Sequence, residues 1–165
     1  MDETQIWIEK LKIYELFSRY TLAFDRQDVD AIANCFTENG VFGFGDRGLR
    51  GRNRIRDYAK VHATIRSRHI TTSPVYEIDS AGNSATGQST AILTVPTRRG
   101  YKVAFIGRYD DELKKVEGKW LISRRWVTDE RLPGDPDFIV ATADPEIAEL
   151  VGPLLDAYQK LGENI

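Results

Sequence analysis

The side chains best suited to chemistry are Asp25, which ends R-Y-T-L-A-F-D, and His69, in S-R-H-I-T-T. A carboxylate that folds back onto an imidazole in an apolar pocket is a proton-transfer device: it fixes the tautomer and stabilises the imidazolium that forms. An unperturbed histidine has a pKa near ~6.5, so it accepts a proton close to neutral pH. The chemistry this supports is removal of a proton from a carbon beside an electron-withdrawing group, or from an activated water. Departure of hydroxide or halide, or reprotonation elsewhere, then gives elimination or isomerisation. Tyr20 and Tyr109 are candidate hydrogen-bond donors to a leaving oxygen or an enolate.

Each of these residues also has a plainer reading. His69 could cap a helix or line a core, and Asp25 could make local hydrogen bonds at a helix end. Tyr20 fits an apolar stripe as well as it fits a site. His62 follows the stripe of a helix, which suits packing or partial exposure. Cys35, the single cysteine, has no basic or histidine neighbour in the sequence and reads as a small buried hydrophobe.

The elements that must position these groups follow from periodicity. Residues 4–24 carry Ile6, Ile13, Phe17, Tyr20 and Phe24 at helical spacing, with Trp7, Leu11, Tyr14 and Leu16 widening the buried face. Asp28 caps a short second helix through Phe36, which Asn39-Gly40 should stop. After the short strand V-F-G-F-G, a third helix carries Ile55, Tyr58, Ala59, His62 and Ile65 on one side. From His69 the texture changes to four strands rich in β-branched and aromatic residues, separated by turn signals at Gly82, Gly100 and Gly118. They form an antiparallel meander, bent at Gly87 and Gly107, with Pro74 and Pro96 at an edge, a bulge or a strand end. Alternation on the third of them puts Val103, Phe105, Gly107 and Tyr109 on one face, with Phe105, Tyr109 and the neighbouring Phe24 as candidate substrate contacts. The stretch 131–138 reads as a proline-rich linker. Asp144 and Pro145 then open a last helix that Gly152-Pro153 should kink or interrupt. The fold class is α+β, with helices on one face of a strongly curved antiparallel sheet and an extra C-terminal helix: residues 1–130 form the domain, and 131–165 add a linker and helix to it as a lid or oligomer contact.

With 41% hydrophobic and 29% charged residues, the composition is that of an ordinary globular protein. A net charge of −2 argues against nucleic acid as a partner. One cysteine excludes an internal disulfide framework, and neither a signal peptide nor an apolar run of ~18 residues is visible, so a cytoplasmic protein without membrane contact is expected. Two histidines, one cysteine and scattered carboxylates show no metal-ligand spacing, and G-F-G-D-R-G lacks the context of a dinucleotide or phosphate loop. No metal and no cofactor are expected.

The pieces R-Y-T-L-A-F-D-R-Q-D, C-F-T-E-N-G-V-F, R-H-I, G-R-Y-D-D-E-L and G-K-W-L-I-S-R-R, in that order over residues 10–128, resemble the SnoaL-like branch of the NTF2-like (cystatin-like) superfamily. Within it the arrangement looks most like scytalone dehydratase, the bile-acid 7α-dehydratases and the hexachlorocyclohexane dehydrochlorinases. The resemblance implies an α+β cone in which an aspartate of the first helix meets a histidine entering the sheet. By position Asp25 and His69 match that dyad, and Tyr20 matches a catalytic tyrosine of the bile-acid enzymes. The chain departs at Phe24, where scytalone dehydratase has tyrosine, in lacking that enzyme's second pocket histidine, and at Asp129, opposite a last-strand arginine of the bile-acid enzymes. The resemblance therefore implies a lyase or isomerase acting on another apolar or polycyclic small molecule, in a homo-oligomer, trimer or dimer. Two alternatives stand beside it: a non-catalytic ligand-binding or assembly protein, as the β-subunits of ring-hydroxylating dioxygenases are, and an epoxide hydrolase.

Overall fold

The computed structural model describes residues 1–130 and 144–165. Helix α1 (Glu3–Asp25) opens with a capping box, in which the Asp2 carboxylate accepts the Gln5 N–H and the Gln5 side chain returns to the Asp2 N–H. Its inner face is Ile13, Phe17, Tyr20 and Phe24, all buried. Trp7 and Leu11, anticipated in the buried face, are instead 54% and 62% exposed. The inward position of that turn belongs to Glu9, whose carboxylate accepts the Trp120 Nε1–H at 2.6 Å and pairs with Lys115 at 2.7 Å.

The chain leaves α1 through a tight reversal. Gln27 N–H donates to Phe24 O and Asp28 N–H to Ala23 O, with Gln27 at φ 57. This is the Schellman closure, made here by a glutamine rather than glycine. It leaves Asp25 at the last helical position. Asp28 then caps α2 (Val29–Asn34) by accepting the Ala31 N–H at 3.0 Å.

Strand β1 (Phe36–Phe44) begins two residues after α2. T-E-N-G therefore does not stop the helix but lies inside β1, at a register shift between Phe36 and Val41 against β6. The short β2 (Arg47–Arg50) and α3 (Arg52–Ala63) follow, then the meander β3 (Arg68–Ile78), β4 (Ser84–Thr97), β5 (Gly100–Val116) and β6 (Lys119–Asp129). Helix α4 (Pro145–Leu161) runs through Gly152-Pro153 without the interruption anticipated there, and β7 (Glu163–Asn164) closes the described chain. The stretch 131–138, read as a linker, lies outside the described residues.

The seven strands form one sheet in the order β3-β4-β5-β6-β1-β2-β7, with β1 and β6 parallel and every other pair antiparallel. Register shifts at Thr72/Val75, Leu93/Thr94 and Glu112/Leu113 bend it into an unclosed cone. The main core fills the space between the concave face and α1, α2 and α3. A smaller cluster joins Ile147, Val151 and Leu154 of α4 to Ile65, Val95 and Ala104. Among the described residues, no helix is long and apolar enough to cross a membrane.

Candidate active site

The α1 reversal carries Asp25 to the start of β3, where its Oδ1 accepts the main-chain N–H of His69 at 3.0 Å. The main-chain oxygen of Asp25 also accepts a hydrogen bond from the Arg68 guanidinium. Asp25 and His69 are thus brought together through the backbone. The imidazole itself turns inward, and its Nδ1 is buried without a hydrogen-bond partner.

The ring lies among other rings. Phe24 is 4.4 Å away between centroids and His62 5.2 Å. Phe24 also meets His62 edge-on at 4.6 Å. His62, which the sequence suggested was a packing residue outside the site, is a second histidine beside His69, because its turn of α3 faces the first residues of β3. Burial, the neighbouring His62 and the charge on Arg125 hold the pKa of His69 well below the usual 6.5. Burial alone pulls His62 down to about 4. Both rings are neutral at neutral pH. His69 reaches the outside in a cleft of about 390 Å³ between α1 and β3, with Tyr14, Phe17, Thr21 and Pro74 among its walls.

Tyr20 extends the site towards the middle of the cone. Its ring is 4.9 Å from Phe24 and 6.4 Å from Tyr109. Burial raises the pKa of both phenols, so both keep their protons. Phe105 packs partly buried against the same core. Val103, placed on that face by simple alternation, is 39% exposed, because the shift at Leu93/Thr94 turns Ala104 inward instead.

Sequence reasoning missed the group at the centre. Arg125 is fully buried, its guanidinium 4.0 Å from the Tyr109 ring and 4.5 Å from the Tyr20 ring. Nε and Nη2 donate to the Asp111 carboxylate at 2.7 and 2.8 Å, and Tyr76 donates its hydroxyl to the same carboxylate at 2.7 Å. Burial opposes the charge on Arg125, but Asp111 outweighs it and raises the arginine pKa further. Nη1 has no partner. Tyr76, Gly87, Asp111 and Arg125 form one row across β3, β4, β5 and β6. Gly87 is the gap through which Tyr76 reaches Asp111, since a Cβ there would stand 2.4 Å from Tyr76 Cδ1 and 2.2 Å from Val75 O.

The arginine was hidden by a bulge. Two-residue alternation from Trp120 and Ile122 sends Arg124 inward, whereas the shift at Glu112/Leu113 resets the parity and sends Arg125 and Val127 inward. The cone's interior arginine is therefore four residues before Asp129, the position the sequence had set opposite the bile-acid enzymes' arginine. Among the described residues, no group of three or more His, Cys, Asp or Glu side chains could hold a metal ion.

A family model described as the SnoaL-like domain matches residues 8–126. The chain belongs to the SnoaL-like family. No curated protein matches the sequence. Among solved structures, an aspartate-to-asparagine variant of Rv3472, a Mycobacterium tuberculosis protein of unknown function, is 42% identical, with a TM-score of 0.92 over 98% of this chain and 95% of that one. An NTF2-like protein with a cystatin-like fold from Novosphingobium aromaticivorans is 16% identical, with a TM-score of 0.71 over 84% and 92% of the two chains. A provisional scytalone dehydratase from the same organism is 19% identical, with a TM-score of 0.69 over 79% and 93%. The last two establish the fold: this SnoaL-like chain is an NTF2-like cone.

Proposed function

We propose that the protein is a cofactor-independent lyase or isomerase that moves a proton within an apolar or polycyclic small molecule. The observation that carries this reading is His69: a neutral imidazole with a free Nδ1, set in an aromatic interior and anchored at its backbone by Asp25. The free nitrogen accepts the proton, and Asp25 fixes the backbone from which the ring projects. Burial that keeps the ring neutral also weakens it as a base, so the carbon acid must be strongly activated by an adjacent carbonyl. Tyr20 and the unpartnered Nη1 of Arg125, both buried deeper in the interior, are the donors that would meet the oxygen on which charge develops once a substrate enters. Family membership and the dehydratase-like neighbour support the same class of chemistry.

One observation favours a second reading, a ligand-binding member without catalysis: Asp25 bonds the main chain of His69 rather than its ring. A carbon-acid exchange assay separates the two. A panel of polycyclic hydroxy-ketones and enones is incubated with the protein in D2O and followed by mass spectrometry for deuterium uptake and loss of water. Catalysis requires uptake that His69→Ala abolishes and Asp25→Asn lowers by about 10²-fold or more, the scale of a positioned base. Uptake that is equal in the parent and both variants leaves only the ligand-binding reading.

A further inference from the structure

The cleft that leads to His69 is walled by α1 and β3, and among the described residues its lining includes no Asp, Glu, Lys or Arg. Its polar groups are the hydroxyls of Tyr14, Ser18, Thr21 and Thr71 and the imidazole of His69. Behind one wall lies a charge pair: Phe17 lines the cleft, and the Arg125 guanidinium carbon stands 4.9 Å from the Phe17 ring centroid. A buried arginine beside a ligand cleft ordinarily signals an anionic ligand. Here the arginine is already matched. Asp111 accepts two of its donors, neither charged side chain is exposed, and the pair sums to zero.

The rings around this pair and around His69 are uncharged. Burial holds His69 and His62 neutral, and Tyr20, Tyr76 and Tyr109 keep their protons. Where α1 meets β3, Asp25 and Arg68 bring one charge of each sign, with Arg68 bonded to the Asp25 main chain. Three buried polar atoms of the interior lack a partner: Nδ1 of His69, Oγ of Ser89 and Nη1 of Arg125. Each suits a neutral oxygen or hydroxyl. A ligand carboxylate would instead lose its hydration and bring a second negative charge to a cation that Asp111 already neutralises.

We infer that this interior selects uncharged ligands, a ketone oxygen rather than a carboxylate meeting Nη1 of Arg125, and that Asp111 sets the choice by cancelling the arginine's charge. The inference rests on the reading of the interior as the substrate site, and Asp111 acts in it through Arg125, as a positioning residue. The probes are 2-acetonaphthone and 2-naphthoate, alike in ring system and shape, titrated near neutral pH into the ¹⁵N-labelled full chain. Saturable shifts of the Thr21, His69 and Thr71 amides are expected with the ketone. Affinity for the carboxylate should be lower by about a hundredfold or more, the scale on which a buried unpaired charge is penalised. Asp111→Asn keeps an acceptor but drops the charge, so it should raise the affinity for 2-naphthoate about tenfold or more and change that for the ketone less. A merely structural role would weaken both. Asp111→Leu combined with Arg125→Met removes both charges and should still exclude the carboxylate, which keeps the test decisive if Asp111→Asn does not fold. The inference is overturned if neither probe gives saturable shifts, or if the parent binds the carboxylate as tightly as the ketone. It is overturned equally if folded Asp111→Asn, judged by its amide spectrum, gains no affinity for the carboxylate, or if the double variant binds it. Failure of the proton-transfer reading is a separate result, the absence of deuterium uptake in the exchange assay, and leaves the ligand preference unaffected.

Discussion

Replacing Asp111 by alanine tests the buried row on which the interior is built. The carboxylate accepts two guanidinium bonds, at 2.7 and 2.8 Å, and the Tyr76 hydroxyl at 2.7 Å, with no exposure of either charged side chain. Its removal strands a guanidinium among aromatic rings, which costs about 3–5 kcal/mol. For a chain of this size each kcal/mol moves the melting temperature by roughly 2–4 °C, so a fall of about 10 °C is expected. Tyr76→Phe removes one donor together with its need for an acceptor and should cost only about 1 kcal/mol. Asp111→Leu combined with Arg125→Met replaces both charges by apolar groups of similar bulk. That double variant should recover most of the loss, because the penalty comes from an uncompensated charge rather than from a missing attraction. Urea unfolding followed by circular dichroism reads all three. The reasoning fails if Asp111→Ala costs less than about 1 kcal/mol, or if the double variant falls as far as the single one.

Three further outcomes follow from the same geometry. The pKa of His62 is lowered from 6.5 to about 4, so the unfolded chain protonates first: its contribution to stability is complete above pH 6.5 and is lost as pH falls towards 4. Thermal melts should therefore drop between pH 7 and pH 5, and His62→Leu should flatten that slope without removing it, since His69 is shifted the same way. Gly87→Ala forces a Cβ to within 2.2 Å of Val75 O and 2.4 Å of the Tyr76 ring, so a cost of about 1–3 kcal/mol in urea unfolding is expected. Burial pushes the Cys35 thiol up to about 11, and the folded protein should react with a thiol reagent at pH 8 far more slowly than the denatured chain, a comparison read by absorbance.

What could be read in advance divides along a physical line. The order of the helices and of the four meander strands was legible, because the inner face of α1 repeats at helical spacing and the meander strands are separated by turn signals at Gly82, Gly100 and Gly118, whereas the short β2 and β7, too brief to show alternation, were not. The pairing of Asp25 with the start of β3 was legible as proximity, but not its form. Whether a carboxylate meets a ring or a main-chain N–H depends on the angle at which α1 ends, and that angle is set by Gln27 in a left-handed conformation that carries no sequence signal. The least legible features depend on strand parity. A bulge adds one residue without changing composition, so Val103 went outward and Arg125 inward against a correct alternation rule. These shifts have a chemical consequence. Without the one at Glu112/Leu113, alternation from Ile122 would turn Arg124 inward and Arg125 to solvent, and the row Tyr76, Gly87, Asp111, Arg125 would lose its last member. The irregularity that curves the sheet is thus also what delivers a cation to its centre, and a reading of the interior that omits the bulge leaves the buried Asp111 without its partner.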